Sequence, residues 1–303
     1  MQKKTSLNIE RPNKTAANVY SLPLISWVII YLHAAAGFPT KPAWLKAIAN
    51  GNYKSWPGVT TANVKKHFPE SIETQKGHMK KQRQNVRSTK VRVLGQDEEH
   101  IELDRLLKKH NIMVKVIHAR TMMYTNQTGC FPVQSSRGNK LIMVLYKIDG
   151  NYINAEPMKD NKDNSLIKAY NTLWARVTKS GKVKPTVHIL DSEASALFKE
   201  SIKKNCDLQL VPPDTHRQNL AKRAIQTFKN DFIAILSGLD PSFPMTLWDR
   251  LLPQTTLTLN LLRQAKADPS VSAFQFMHGE IDYNKMLLAP LGCAVQMHES
   301  TNR

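Results

Sequence analysis

The sequence predicts an α/β fold, a mixed sheet flanked by helices and preceded by a small helical module. Three observations carry that expectation. The chain has 303 residues, 41% apolar and 22% charged, enough to bury a core in one or two domains. From residue 113 onward, β-branched and aliphatic runs of strand length alternate with helical patterns, as in a sheet layered between helices. Before that point, residues 22–68 show only helical spacing.

Residues 1–20 lack apolar periodicity and read as a flexible tail. A helical module is expected over 21–75. Its first run, "LPLISWVIIYLHAAAGF" at 22–38, contains His33 and falls short of the about 20 uninterrupted apolar residues that span a bilayer, so it is expected to be a buried helix. "AWLKAIANGNY" places Trp44, Leu45 and Ile48 at helical spacing, with Gly51 as the stop. Residues 76–112 form a basic linker and a short mixed-charge helix, "QDEEHIELDRLLKKHNI". The linker "KGHMKKQRQNVRSTKVR" carries Lys76, Lys80, Lys81, Arg83, Arg87, Lys90 and Arg92 and no acid. It is either a solvated connection or a phosphate-binding arm.

The main domain is expected over 113–299. "VKVIHA", "GNKLIMVLYKI" and "NYINAEPMK" suit an antiparallel meander. "SLIKAYNTLWARVTKSG" then puts Leu166, Ile167, Tyr170, Leu173 and Trp174 on one helical face. "PTVHILD" is expected as a buried strand ending in Asp191, "SEASALFKESIKKN" as a helix with Ser192 as its N-cap, and "DLQLVPP" as a second buried strand. The helix "DTHRQNLAKRAIQTFKNDFIAIL" turns Ala221, Ala224, Ile225, Phe228, Phe232 and Ile235 inward and Arg217, Lys222, Arg223, Gln226 and Lys229 outward. A leucine-rich helix, "LWDRLLPQTTLTLNLLR", follows.

Lys and Arg number 43 against 24 acids, a formal charge of +19, which implies a polyanionic partner. Basic residues spread over several segments suit the phosphate backbone of DNA or RNA, bound without sequence preference, better than a membrane surface. The three cysteines, Cys130, Cys206 and Cys293, form no CxxC pair, so neither a disulfide framework nor a zinc finger is indicated. An intracellular, reducing setting follows, the nucleus where DNA is the partner.

The segments "TGCFPVQSSRGNKLIMVLY", "VHILDSEAS", "LQLVPPDTHRQN", "RAIQTFKNDFIA", "FPMTLWDRLLPQTTLTLNLLR" and "LAPLGCAVQMHE" resemble, in order and wording, the integrase core in the Pol polyproteins of copia-type retrotransposons. The resemblance covers residues 121–299, and "YLHAAAGFP" through "KGHMKKQRQNVRST" resembles the segment just before that core. It implies a ribonuclease-H-like fold, DNA strand transfer, oligomers as in integrases, and two magnesium ions held by three carboxylates. Two metals suit phosphoryl transfer because one activates the attacking hydroxyl and the other stabilises the departing oxygen.

The resemblance also locates those ligands, and two of the three positions are altered. Asn126 stands at the first, Asp191 is retained at the second, and Lys222 replaces the glutamate of the third. Asp191 alone leaves a weak metal site, with no magnesium held productively. Glu193 and Asp214 are the candidate substitute acids, and Asp191 could equally be a strand-end residue capping the next helix. The upstream segment keeps His33 but has Phe38 where a second zinc-binding histidine would stand, and His67 and His78 read as ordinary polar residues. Three functions remain open on the sequence: a nucleic-acid-binding protein with a degenerate integrase site, an active integrase or nuclease using a substitute acid, and an assembly protein holding RNA. For the first, Lys76, Lys80, Lys81, Arg83, Arg87, Arg217, Lys222, Arg223 and Lys229 are the expected phosphate contacts.

Overall fold

A computed structural model describes residues 19–79, 122–180, 184–211 and 219–295. Five strands form one mixed sheet in the order β3-β2-β1-β4-β5. β1 (Met122–Gln127), β2 (Leu141–Lys147) and β3 (Tyr152–Met158) make the antiparallel meander. β4 (Val187–Asp191) pairs parallel with β1, and β5 (Asp207–Val211) pairs parallel with β4. The first strand of the meander is therefore the one carrying Asn126, while the run at 114–119 lies outside the described residues.

Every residue of β2 is buried because helices cover both sheet faces, and the two-residue period of a strand sends alternate side chains to different cores. Ile142, Val144 and Tyr146 pack with Tyr124 against α7 (Leu220–Ser237) and α8 (Leu252–Leu262) through Phe228, Phe232, Leu252 and Leu259. Leu141, Met143 and Leu145 pack with Met123 against α5 (Asp163–Ser180) and α6 (Ala196–Lys203) through Leu166, Tyr170, Leu173, Phe198 and Ile202. At the β3 edge, the amide of Asn260 imitates a neighbouring strand: its Oδ1 accepts from Ile153 N at 2.9 Å and its Nδ2 donates to Ile153 O at 2.6 Å. Exposed strand edges invite unwanted pairing, and this one is closed by α8.

Four expectations need correction. The leucine-rich segment is two pieces, a 3-10 turn over Met245–Arg250 and α8, because Pro253 cannot continue a helix from behind and starts one instead. Ser195 caps α6, accepting from Phe198 N at 3.2 Å, and Ser192 lies in the preceding turn. β5 is a largely exposed edge strand with only Val211 fully buried, since it has one neighbour in the sheet. The first apolar run forms helix α1 (Ile25–Ala35), but Leu24, Ile25 and Trp27 are exposed. That run is apolar all round, and its exposure is confined to the first turn, whereas Leu32, His33, Ala34 and Ala35 at its end are all buried. No helix among the described residues is long and apolar enough to cross a membrane.

Helices α2 (Lys41–Ala49), α3 (Thr61–His67) and α4 (Ile72–His78) complete the N-terminal module. Trp44, Tyr53, Trp56 and Val64 build its core, which continues into Leu261 of α8 and into Tyr283 and Leu288. Two close approaches fasten the module to α7. Phe38, held at φ +57, lays its ring where a Gly238 Cβ would be, 2.3 Å away. Gly77 of α4 crosses α7 so tightly that a Cβ there would meet Asn230 O at 2.4 Å and the Ala234 Cβ at 2.6 Å.

This crossing generates a test. Gly77→Ala should cost about 1–3 kcal/mol, as overpacking does, lowering the thermal midpoint by several degrees. Gly129→Ala, whose Cβ would meet nothing within 4 Å, should be near neutral. Equal midpoints for the two variants would contradict the crossing.

A buried acid on the same helix supplies a second test. Burial pushes the Asp231 carboxyl up to about 7 against the pull of Arg263, and His78 Nε2 lies 4.0 Å from it. With a folded pKa above the unfolded value of ~3.9, Asp231 costs the fold nothing below about pH 4. The cost of ionising it grows up to about pH 7 and is complete above that. Asp231→Asn should therefore gain stability over the native chain through that window and hold the gain at higher pH. Denaturant titrations at acid, neutral and alkaline pH read this out, and a pH-independent difference would refute it.

Candidate functional site

Because β1 and β4 are adjacent and parallel, their carboxyl ends lie at the same edge of the sheet, the usual place for a site in such folds. Asn126 lies one residue before the end of β1 and Asp191 is the last residue of β4. Helix α7 starts beside them with Asn219 as its N-cap. The Asn219 Oδ1 accepts from Ala221 N at 3.0 Å, as N-cap side chains do. Its Nδ2 donates to Asp191 Oδ1 at 3.0 Å and to Thr125 O at 3.5 Å, tying the helix start to both strand ends.

Lys222, in the first turn of α7, places its Nζ 3.1 Å from Asp191 Oδ2. Asn126 Nδ2 donates to the same oxygen at 3.4 Å. The Asn126 Oδ1 accepts from Gln127 N at 2.8 Å, which orients the amide with its donor toward the carboxylate. Both Asp191 oxygens are thus engaged. The three positions singled out by the resemblance do converge, and what converges is a cation, an amide and a single anion.

The ion pair is partly solvated, with side-chain exposures of 41% for Lys222 and 22% for Asp191, so its direct contribution to stability is about 0–1 kcal/mol. A cation in the first turn of a helix opposes the macrodipole. Asp191 offsets that cost while Asn219 satisfies an N-terminal amide. Asp191 does not cap α6, since Ser195 holds that role.

The donor set does not fit a pair of divalent cations. Hard cations need several anionic or carbonyl oxygens, and here the one carboxylate already binds an ammonium and two amides. A divalent ion about 4 Å from the Lys222 charge would be repelled by about 8 kcal/mol at an effective dielectric near 20. Among the described residues there is no group of three or more His, Cys, Asp or Glu side chains able to hold a metal. Glu193 is exposed in the turn before α6, and Asp214 lies outside the described residues.

The upstream module uses its histidine for packing. His33 is buried, with Nε2 2.9 Å from Pro39 O. The rings of Phe38, Trp44 and Phe68 surround it at centroid distances of 5.8, 5.4 and 4.9 Å. Burial lowers its pKa to about 4. Phe38 thus completes an aromatic shell around His33. His67 is half-buried at the end of α3, and His78 faces Asp231.

Of the expected phosphate contacts, Lys76 is exposed near the end of α4, Arg223 and Lys229 are exposed on α7, and Lys222 bridges to Asp191. Lys80, Lys81, Arg83, Arg87 and Arg217 lie outside the described residues. Sequence reasoning missed Asn219. Its signal was available, an asparagine directly before the helical stripe that begins at Leu220, but the helix had been started at Asp214.

No protein-family model matches the chain, and no curated protein does. Among solved structures it is similar to a chain of the simian T-cell lymphotropic virus intasome in complex with PP2A regulatory subunit B56 gamma, at 16% identity over 59% of this chain and TM-score 0.42. The match spans 60% of that chain's length. It is also similar to the catalytic core domain of BIV integrase, at 11% identity over 52% of this chain and 93% of that one, with TM-score 0.37. A third likeness is to the HTLV-2 integrase catalytic core domain in complex with magnesium, at 16% identity over 52% of this chain and 97% of that one, with TM-score 0.39.

Proposed function

We propose that this chain is a retrotransposon-derived, integrase-like protein that binds nucleic acid through its basic surfaces and does not catalyse strand transfer. One observation carries the proposal: the Lys222 ammonium lies 3.1 Å from Asp191, at the position where the copia-type pattern has its third carboxylate. A site built to gather positive ions has become one that supplies its own. The sequence resemblance over 121–299 and the location of Asn126 and Asp191 at strand ends, with Lys222 in the first turn of α7, support the integrase ancestry. The formal charge of +19 and the exposed Arg223 and Lys229 of α7 support retained phosphate binding, because backbone contacts need no metal.

The chemistry of the residues present is limited to binding and positioning. Lys222 offers an ammonium that can contact a phosphate oxygen once it leaves Asp191. Asn126 and Asn219 each donate to the Asp191 carboxylate, one to each oxygen. None of the three activates a hydroxyl or stabilises a departing oxygen in the way a carboxylate-bound metal pair does.

Two measurements test this. Duplex DNA affinity should fall steeply with salt, and Arg223→Glu with Lys229→Glu should make the log–log salt slope shallower by about 2; salt-independent or absent binding would refute the nucleic-acid assignment. Magnesium should leave the thermal midpoint of the native chain unchanged and raise that of the double variant Asn126→Asp, Lys222→Glu. Magnesium-dependent joining of a DNA end by the native chain, lost in Asp191→Ala, would show the site to be active.

A further inference from the structure

We infer that a cavity at the seam between the N-terminal module and the segment around α9 (Ala273–His278) holds one unpaired nucleotide of a single strand and selects a base carrying an exocyclic amino group. The inference rests on the nucleic-acid binding proposed above and adds a base preference to it. The cavity, of about 470 Å³, is lined by Asn52 and Lys54 from the turn after α2 and by Gln275, Glu280, Asp282 and Lys285 from α9 and the chain beyond it. That volume lies within the range of about 300–1,000 Å³ usual for small-ligand sites.

The two walls are tied together. Ser55 Oγ, on the module side, donates to Ile281 O at 3.0 Å and accepts from Tyr283 N at 3.0 Å. Asn52 Nδ2 donates to Leu261 O at 2.7 Å, and Ser272 caps α9 by accepting from Gln275 N at 3.0 Å. Gly51, at φ +80, lies so close under the Lys54 side chain that a Cβ there would meet Lys54 Cε at 2.6 Å. Walls held in this way before binding lower the entropy lost on contact.

The lining chemistry identifies the ligand. Asn52 is 6% exposed, and with its Nδ2 committed to Leu261 its Oδ1 has no hydrogen-bond partner among the described residues. A buried acceptor in that state calls for a donor. Glu280 and Asp282 add carboxylate acceptors to the same cavity, and their charges offset those of Lys54 and Lys285. The cavity therefore differs from a backbone-binding patch: it suits an uncharged group rich in N–H donors. The amino group of cytosine or adenine is such a group, and carboxylates and side-chain amides are its usual partners. Thymine and uracil present a carbonyl oxygen where cytosine has its amine, which sets acceptor against acceptor. Lys54, exposed and without a described acid partner, is available to the adjoining phosphate. Unpaired bases are read on their Watson–Crick edges in this manner, whereas a base in a duplex has that edge occupied.

The test uses the full chain with homopolymeric dC and dT strands of equal length, whose equal phosphate charge isolates the base. The native chain should bind dC about fivefold or more tightly than dT. Glu280→Gln and Gln275→Ala should each lower that ratio toward one while leaving affinity for dT and for duplex DNA unchanged. Equal affinities for dC and dT, with binding still weakened by Arg223→Glu, Lys229→Glu, would overturn the inference and leave the proposed function standing. Binding of neither single strands nor duplex would overturn both. A dC preference that persists in both cavity variants would arise elsewhere on the chain, and free CMP bound as tightly as the dC strand would make the cavity a site for the free nucleotide; either result overturns the inference.

Discussion

Parallel pairing of β1 with β4 brings two strand ends together, and α7 is pinned to them through Asn219. From that geometry follows the chemistry of the site. With a carboxylate at each of three positions, such a convergence would be an electrostatic trap for cations, and anions packed so closely repel one another until a cation arrives. With Asn126 and Lys222 beside Asp191, the site closes on itself instead. The amide and the ammonium satisfy Asp191 without any ion, and the charge balance is complete within the chain.

The charges at the site also bear on folding. A carboxylate cluster at a helix N-terminus is favoured by the helix dipole and opposed by mutual repulsion, whereas a lysine there is opposed by the dipole and favoured by its partner acid. The cores on both faces of the sheet are packed around this arrangement. In the module, Phe38 supplies ring contacts to His33 and plugs against Gly238, so hydrophobic packing does the holding.

Four cations around the sheet are paired with acids, in two cases against an acid that is buried: Arg137 to Asp249 and Lys147 to Asp149. Exposed cations without a described acid partner lie on both parts of the fold, Lys65 and Lys66 on the module and Arg223 and Lys229 on α7. A protein that meets a polyanion can leave such charges unpaired, since the partner neutralises them and released counterions add to affinity.

Much of this was legible in the residues alone. Aliphatic runs of strand length located β2 and β3, and a 3.6-residue period located the α7 stripe from Ala221 to Ile235, because burial of one helix face leaves its spacing in the chain. The wording around Asn126, Asp191 and Lys222 singled out three positions that the structure brings together. What the pattern could not carry was anything requiring a neighbour. β5 reads as buried from its aliphatic content, yet its place at the sheet edge exposes it; α1 is apolar all round, yet its first turn stays exposed while its last is buried. Ser192 is the cap expected from the sequence, and the turn geometry gives the role to Ser195. That Lys222 turns back to hold Asp191, and that Asn219 joins them, depends on distances across 28 or more residues of sequence. Those distances arise only when strands pair and a helix docks, because linear spacing records which face a residue lies on and not which residue it meets.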